Sequence, residues 1–555
     1  MTSPCNIAAA LPRMAAQRPD AIAIRCPSGR LPDGRVAYAT ELTCAQLDAR
    51  SDRIAAALAR AGIVRGTRTA LMVRPSPELF LLMFALFKAG AVPVLIDPGI
   101  DRRALKACLD EAAPEAFVGI PLAQAARVVL GWARGSCRHV VTVGRRWFWG
   151  GHTLDALLAA GADDAFAMAH TLPDDIAAIL FTSGSTGTPK GVVYRHRHFV
   201  AQVDMLRDAF DVQAGGVSLP TFPPFALFDP ALGLTSVIPD MDPTRPAQAD
   251  PRRLVDAIAR FGVTQMFGSP ALLDTLSRFG AAHGTTLPTL RRVLSAGAPV
   301  PPHVVERMQR LLPDEAQIWT PYGATECLPV AVIEGRELRA TRAATEAGAG
   351  TCVGRPVAPN IVRIIAIDDA PIERWGDALL AAPGSVGEIV VGGPSVTDEY
   401  FGRPQATALA KIRETLPDGS THILHRMGDL GYFDADGRLW FCGRKTQRVE
   451  TATGPLYTEQ VEPVFNCHPQ VRRSALVGVG QRSAQLPVLC IELEPGTDAA
   501  ARERIEAELL NAGQRHAHTA RVQRVLFHPG FPVDIRHNAK IGREALARWA
   551  AARLR

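Results

Sequence analysis

The chain has 555 residues, of which 47% are hydrophobic and 21% are charged. This length exceeds what one hydrophobic core normally supports and predicts at least two domains, and the composition is that of an ordinary soluble globular protein. The net charge of +6 is small for this length and no dense lysine or arginine block occurs, so the sequence gives no case for a nucleic-acid partner.

The spacing of the cysteines and the length of the apolar segments indicate the cellular compartment in which we expect the protein. The ten cysteines include no C-x-x-C pair, which predicts reduced thiols in a cytoplasmic protein. The N-terminus carries no charged-then-apolar signal segment. The longest apolar stretch, Leu79–Phe87, is far shorter than the roughly 20 residues of a membrane helix. We therefore expect no transmembrane segment.

Apolar periodicity in the first part of the chain predicts a mostly parallel α/β sheet, because strand-like runs alternate with helical patterns. The predicted helices are Ser51–Ala61, Leu79–Phe87, Leu254–Phe261 and Leu272–Phe279. The predicted strands are Thr69–Val73, Val92–Ile96, Ile176–Phe181, Val263–Phe267 and Arg292–Ser295, followed by Glu388–Val391 and Leu439–Cys442 in a more β-rich stretch. The stretch Asp240–Pro251 is expected to be a surface loop.

A second, smaller unit is predicted after Arg444–Arg448. The last part of the chain has the pattern of a compact α+β domain. Its predicted elements are helix Glu459–Cys467, strands Ser474–Val479 and Pro487–Leu493, and helices Ala501–Leu510 and Glu544–Arg553. We therefore expect a large α/β domain over 1–444 and a small α+β domain over 445–555.

The most informative motif follows the predicted strand Ile176–Phe181 and has the sequence Thr-Ser-Gly-Ser-Thr-Gly-Thr-Pro-Lys-Gly over 182–191. Its glycines permit tight turns, and its hydroxyls and amides can surround a polyphosphate. It is not a Walker A loop, because only two residues separate Gly187 from Lys190. A flexible linker is the alternative, although linkers rarely follow a buried strand. The candidate phosphate-binding residues are Thr182, Ser183, Gly184, Ser185, Thr186, Gly187 and Lys190.

This segment resembles the signature of the adenylate-forming superfamily, which includes acyl-CoA synthetases, peptide-synthetase adenylation domains and firefly luciferase. The resemblance implies that ATP and a carboxylate form an acyl-adenylate and diphosphate, after which the acyl group passes to an acceptor. It also implies a large N-terminal adenylation domain of mixed α/β subdomains and a small mobile C-terminal domain.

A second motif, Tyr-Gly-Ala-Thr-Glu-Cys over 322–327, resembles a superfamily motif that contacts the nucleotide. The resemblance implies that Tyr322 stacks on adenine, Thr325 contacts the α-phosphate and Glu326 holds Mg²⁺, which suits a hard oxygen ligand. A Tyr-Gly turn with an incidental acid is the alternative. The further adenine-site candidates are Gly297, Ala298 and Gly323.

Three more positions match the superfamily near the end of the chain. Asp429, in His-Arg-Met-Gly-Asp-Leu-Gly over 425–431, matches an aspartate that accepts hydrogen bonds from the ribose hydroxyls. Arg444 matches an arginine that also reaches the ribose. Lys540 resembles the mobile catalytic lysine, which would stabilise negative charge on the α-phosphate and the attacking carboxylate. The resemblance thus makes Lys540, Thr182 and Glu326 the catalytic candidates.

Departures from the superfamily pattern concern the second half-reaction. Ala226 occupies the place where acyl-CoA synthetases usually carry a histidine, and Thr446 replaces the usual hinge Asp or Lys. The following loop over 449–456 lacks the usual lysine. These changes put CoA transfer in doubt and leave adenylation intact. Aromatic residues around Ala226 are candidates for an acyl pocket, formed by Phe222, Phe225, Ala226 and Phe228.

Over nearly its whole length the chain most closely resembles the β-lactone synthetases of bacterial long-chain olefin biosynthesis. This implies a 2-alkyl-3-hydroxyalkanoic acid as substrate, with its own 3-hydroxyl as the second nucleophile. It also implies possible assembly with a lactone decarboxylase and a dehydrogenase of the same pathway. The alternatives are a long-chain acyl-CoA ligase, which would require CoA, and a non-catalytic nucleotide-binding protein. The joint presence of Glu326, Asp429 and Lys540 argues against the last.

Overall fold

The computed structural model describes residues 4–97, 99–161, 166–182, 189–533 and 541–554. Helices and strands alternate over much of residues 68–317, and strands predominate over 351–456, as the sequence predicts for these two parts of the chain. The α-helices are Ala10–Gln17, Cys44–Arg60, Pro77–Lys88, Arg102–Ala112, Pro121–Leu130, Leu154–Ala159, His196–Ala209, Asp229–Leu232, Pro251–Phe261, Pro270–His283, Pro302–Gln309, Gly335–Ala340, Arg342–Glu346, Pro404–Ala410, Thr458–Asn466, Arg502–Gly513 and Arg543–Arg553. None of the helices so described is long and apolar enough to cross a bilayer.

The first of the large sheets confirms the predicted parallel α/β arrangement. Its strands run parallel to their neighbours except for the edge pair at 176–195, which forms an antiparallel hairpin. In spatial order the strands are Gly191–Arg195, Ile176–Phe181, Val92–Ile96, Arg68–Met72, Ala116–Gly119, His139–Thr142 and His152–Thr153.

The helix Pro77–Lys88 is buried on all sides in the core beside this sheet, since every residue from Phe80 to Lys88 is buried. Such an all-round apolar helix needs a surrounding core. Its last residue, Lys88, is a buried cation, and Nζ donates to the carboxylates of Asp48 at 2.6 Å and Asp52 at 2.7 Å. Pairing offsets the desolvation that a buried charge would otherwise suffer.

A second, larger sheet has a parallel part and an antiparallel part, and the outermost pair beside the parallel part, Ile22–Cys26 with Thr40–Thr43, is itself antiparallel. In spatial order these are Ile361–Ile365, Gly387–Gly392, Thr421–Phe433, Leu439–Arg444, Thr351–Pro356, Cys327–Glu334, Gln317–Ala324, Arg292–Leu294, Gln265–Phe267, Val217–Pro220, Thr235–Val237, Ile22–Cys26 and Thr40–Thr43, with Lys411–Thr415 paired to Thr421–Phe433. This sheet therefore carries the 322–327 motif, Asp429 and Arg444.

Residues after Arg448 build a separate small sheet with its own apolar clusters. The two clusters in this part of the chain draw their buried members only from residues 449–550. Polar contacts join this unit to earlier residues: Arg448 pairs with Asp369 at 2.6 Å, and Thr351 donates to Glu459 at 2.9 Å. The domain boundary at 444/445 stays a prediction. The strands are Val471–Val479, Leu486–Leu493 and Val525–Phe527, beside the ribbon Val449–Thr451 and Gly454–Leu456.

Most predicted bounds differ from the observed ones by a few residues, and two further local details also differ. The helix predicted from Ser51 begins at Cys44, because Thr43 and Gln46 form a capping box that satisfies the first amides. The expected loop over 240–251 contains the 3-10 turn Pro246–Gln248.

Candidate active site

The predicted phosphate loop joins the two strands of the edge hairpin, and two hydrogen bonds between Thr182 and Lys190 close its base. The amide of Thr182 donates to the carbonyl of Lys190 at 3.1 Å, and the amide of Lys190 donates to Oγ1 of Thr182 at 3.3 Å. The predicted phosphate-binding residues Ser183, Gly184, Ser185, Thr186 and Gly187 lie outside the described residues, so their role stays a prediction.

Tyr400 brings Lys190 and Glu326 together. Nζ of Lys190 lies 4.9 Å from the centroid of the Tyr400 ring, and the Tyr400 hydroxyl donates to Oε1 of Glu326 at 2.6 Å. Burial and the charge of Glu326 raise the pKa of Tyr400, so the hydroxyl stays protonated and acts as a donor. A phosphate-loop cation and a carboxylate far away in sequence thus contact one side chain.

Thr325 and Glu326 form the two-residue turn of an antiparallel hairpin, between Gln317–Ala324 and Cys327–Glu334. Tight turns of this length connect antiparallel strands well. The carbonyl of Thr325 accepts from the Tyr194 hydroxyl at 2.6 Å. The turn is therefore held from its main chain as well as through the Glu326 carboxylate.

Behind Glu326 lies a buried lysine that the sequence analysis missed. Nζ of Lys411 donates to the carbonyl and hydroxyl oxygens of Thr397, and Thr397 in turn donates from its amide at 3.0 Å and its hydroxyl at 2.9 Å to the Glu326 carbonyl. Burial lowers the pKa of Lys411 to about 8, against the opposing effect of the Glu326 charge. No local pattern marks this lysine, since it directly follows the helix Pro404–Ala410.

Asp429, Tyr322 and Arg444 form a second polar group. The Tyr322 hydroxyl donates to Oδ2 of Asp429 at 2.7 Å, and Nη1 of Arg444 pairs with Oδ1 at 2.6 Å. Asp429 and Arg444 are also register partners on neighbouring strands. The charge of Asp429 raises the pKa of Arg444. Burial raises the pKa of Tyr322, and the Asp429 carboxylate raises it further. The charge of Glu326 also raises the pKa of Arg444, so the two polar groups interact electrostatically.

Two of the candidate adenine-site residues, Gly297 and Gly323, lie where a side chain is difficult to accommodate. Gly297 has a φ of +97°, which favours glycine, in the segment after strand Arg292–Leu294. At Gly323 an added Cβ would lie 2.9 Å from the Cys327 carbonyl oxygen, so a larger residue would distort the hairpin. Ala298 directly follows Gly297 in the same bend.

The candidate acyl-pocket residues flank or belong to the 3-10 helix Pro223–Leu227. The Phe225 ring is 5.2 Å from that of Phe222 and 4.5 Å from that of Phe267, both edge-on. On the other side, the Phe228 ring lies 6.2 Å from Phe199. Ala226 is only 3% exposed and belongs to an apolar core cluster.

Lys540 lies outside the described residues. On either side of its segment, Val533 and Ile541 pair as an isolated antiparallel bridge. The catalytic role of Lys540 therefore stays a prediction.

Glu326 is the carboxylate predicted to hold a metal. Within the described residues no three His, Cys, Asp or Glu side chains cluster as they do in a metal site built from protein ligands alone. Mg²⁺ commonly takes only one or two protein carboxylates and completes its shell with nucleotide phosphates and water. A single oriented carboxylate beside the phosphate-loop lysine fits that pattern.

The chain is similar to known proteins over most or all of its length. The model of the AMP-binding enzyme family matches residues 11–401. An olefin beta-lactone synthetase of Xanthomonas campestris pv. campestris is 68% identical over 551 residues, covering 99% of this chain and 98% of that protein. The olefin beta-lactone synthetase of Stenotrophomonas maltophilia is 69% identical over 561 residues, covering 100% of this chain and 99% of that protein.

The fold recurs in solved structures. ATP-bound MatB from Rhodopseudomonas palustris aligns with a TM-score of 0.76 at 21% identity, over 100% of both chains. The family match covers most of the sequence, and the two relatives match it from end to end. The chain belongs to the AMP-binding enzyme family.

Proposed function

We propose that this protein is an ATP-dependent, AMP-forming β-lactone synthetase that acts on a long-chain 2-alkyl-3-hydroxyalkanoic acid. The observation that carries the proposal is the end-to-end identity of 68–69% to two olefin beta-lactone synthetases. Membership of the AMP-binding enzyme family supports adenylation as the first step.

In the first step a carboxylate oxygen of the acid attacks the α-phosphorus of ATP, and the bond to the bridging oxygen breaks to release diphosphate. We assign the polyphosphate to Lys190 and the loop that begins at Thr182, and the ribose to Asp429. Mg²⁺, bound by Glu326, would neutralise phosphate charge. Lys540 would stabilise the charge that develops on the α-phosphate.

The remaining candidates would contact other parts of the nucleotide. Thr325 would contact the α-phosphate, and Arg444 would contact the ribose. Adenine would be bound by Tyr322, Gly297, Ala298 and Gly323.

In the second step the 3-hydroxyl oxygen attacks the acyl carbon, the bond to the AMP oxygen breaks, and the hydroxyl proton is released. The four-membered ring is strained, but the acyl-adenylate is an activated mixed anhydride. A nucleophile held within the same molecule can reach a very high effective molarity, about 10⁵ M or more. The product is then a β-lactone, with no acceptor other than the substrate itself. We assign the alkyl chains to a site near Phe222, Phe225, Ala226 and Phe228.

The acyl-CoA ligase alternative is disfavoured by two departures from the usual ligase sequence: Thr446 replaces the hinge Asp or Lys, and the segment 449–456 lacks the usual lysine. Thr446 is exposed in the 3-10 turn Lys445–Gln447. The segment over 449–456 folds as a two-stranded ribbon, and the Arg521 guanidinium donates to its Gly454 carbonyl at 2.5 Å. We propose that 445–555 is a mobile lid that delivers Lys540 and does not form a thioester site.

Product analysis with and without CoA tests the proposal. The enzyme, ATP, Mg²⁺ and a 2-alkyl-3-hydroxy acid should give a β-lactone, AMP and diphosphate by mass spectrometry, at a rate independent of CoA. Accumulation of an acyl-CoA, together with faster turnover in the presence of CoA, would overturn the lactone proposal in favour of a ligase. Binding of ATP without any AMP release would favour a non-catalytic nucleotide-binding protein.

The setting of the reaction is part of the same proposal. All ten cysteines are free thiols, which suits a reducing compartment, and we place the enzyme in the cytoplasm. Because β-lactones are strained and reactive, we expect direct transfer of the product to a lactone decarboxylase. A dehydrogenase of the olefin pathway would supply the 3-hydroxy acid.

A further inference from the structure

Tyr400 has a geometry that a purely structural role does not explain. It is 5% exposed, and its main chain is tied to the strand after the phosphate loop. Tyr400 bridges to Val192, and the next amide, of Phe401, donates to the Gly191 carbonyl at 2.8 Å. The strand that follows the phosphate loop is therefore joined directly to the main chain around this tyrosine.

The side chain of Tyr400 contacts two opposite charges in different ways. Its ring face receives the Lys190 ammonium at 4.9 Å, a cation–π contact, and its hydroxyl donates to the Glu326 carboxylate at 2.6 Å. Among the residues that the structure describes, Lys190 and Glu326 form no ion pair with each other. Both charges thus remain available to a ligand while being held by the same tyrosine.

We propose that Tyr400 is a positioning residue that orients the Glu326 carboxylate toward the metal of the bound nucleotide and couples it to Lys190 of the phosphate loop. The inference rests on the proposed role of Glu326 as the Mg²⁺ ligand.

The case depends on how Glu326 is held. Its carbonyl is fixed by Thr397, which Lys411 fixes in turn, so the main freedom left to this residue is rotation of the side chain. A hydrogen bond to Oε1 restricts that rotation and presents the other oxygen in one direction. Groups that orient metal-binding side chains in this way typically affect metal affinity or activity by about 10–100-fold.

The test measures metal binding directly in the full-length protein, with Mn²⁺ as the probe and α,β-methylene-ATP as the nucleotide. Tyr400→Phe keeps the buried ring beneath Lys190 and removes only the hydroxyl. We expect its apparent Kd for Mn²⁺, followed by electron paramagnetic resonance, to rise by about 10–100-fold. Because the carboxylate is still present, high Mg²⁺ should restore much of the adenylation rate.

Tyr194→Phe is the matched control. It also removes a hydroxyl that donates at 2.6 Å to the 325–326 turn, but the acceptor is the main chain of Thr325. We expect its Mn²⁺ affinity to stay close to that of the wild type. Glu326→Gln is the reference for loss of the ligand, and adding Tyr400→Phe to Glu326→Gln should lower the affinity no further.

The outcomes separate this inference from the proposed function. Loss of Mn²⁺ affinity in Glu326→Gln with wild-type affinity in Tyr400→Phe would overturn the role of Tyr400 alone. An equal loss in Tyr194→Phe, or an additive loss in the double variant, would also overturn it, because the effect would then not pass through the carboxylate. Wild-type affinity in Glu326→Gln would overturn the metal assignment itself.

Discussion

Asp429 is held by two side chains, because Tyr322 and Arg444 each engage one of its oxygens. A ribose would therefore meet an acceptor whose position is already fixed. We predict that Asp429→Ala weakens ATP binding by about 1.5–3 kcal/mol, the usual range for hydrogen bonds to a charged group. Isothermal calorimetry with ATP measures this directly.

Asp436→Ala is the control for Asp429→Ala. Asp436 lies near the same pair of strands, but its side chain is 65% exposed and pairs with Arg438. The same loss of a carboxylate there should leave ATP affinity unchanged. If Asp429→Ala binds ATP as the wild type does, the ribose site has been assigned to the wrong residue.

Lys540 is expected to act in catalysis and not in ATP binding. We predict that Lys540→Ala slows adenylate formation by about 10²-fold or more, similar to the loss of one preorganised electrostatic donor. ATP should still bind, since the other nucleotide contacts remain. Exchange of labelled diphosphate into ATP measures the step, and Arg548→Ala, an exposed cation on the terminal helix, is the charge-matched control. Near-normal exchange in Lys540→Ala would contradict the assignment.

At the scale of elements, Glu459 lies in the first turn of helix Thr458–Asn466. It is at the contact between the C-terminal unit and strand Thr351–Pro356, where it accepts a hydrogen bond from Thr351. Burial, with a further contribution from the charge of Glu462, raises the pKa of Glu459 to about 7. In the unfolded chain the pKa of a glutamate is about 4.3. Between these values the folded protein holds a proton that the unfolded chain has released, so stability declines as the pH rises through this window.

Glu459→Gln removes this titration and keeps a side chain of similar size. We predict that the variant gains thermal stability relative to the wild type as the pH rises from about 5 to about 8. Thermal unfolding of both proteins across that range measures the difference. Gln460→Glu is the control, because it places an acid at the neighbouring position. If that position is not equally desolvated, the stability of Gln460→Glu relative to the wild type should not change with pH over this range. A stability difference that does not change with pH would contradict the prediction.

Elements with strong local signals were predicted well from the sequence. The strand Val92–Ile96 has the predicted bounds because a short apolar run is followed by a turn signal at Asp97. Apolar spacing does not predict the start of the helix Cys44–Arg60, because the caps Thr43 and Gln46 set that start. The periodicity of apolar residues locates the middle of a helix or strand, whereas capping residues locate the end of a helix.

At the scale of the whole molecule, the site combines segments whose proximity no local pattern contains. Asp429 contacts Tyr322 and Arg444 only because the order of strands in the large sheet places their motifs together. Their common role was predicted from the family resemblance, which carries that spatial information indirectly. The support of Glu326 by Lys411 was not predicted, since it depends on long-range packing.

The whole reaction leads to a final prediction about the acceptor. If the 3-hydroxyl is the nucleophile of the second step, a matched 2-alkyl acid without that hydroxyl should undergo adenylation and go no further. No other nucleophile is then held in the same molecule at the high effective concentration that ring closure requires. Quenched reactions should contain about one acyl-adenylate per enzyme, with diphosphate released in a single burst, whereas the 3-hydroxy acid should turn over continuously.

The control for this prediction is the same deoxy acid with CoA added. Steady release of AMP under that condition would mean that an external acceptor can complete the reaction and that the internal hydroxyl is not required.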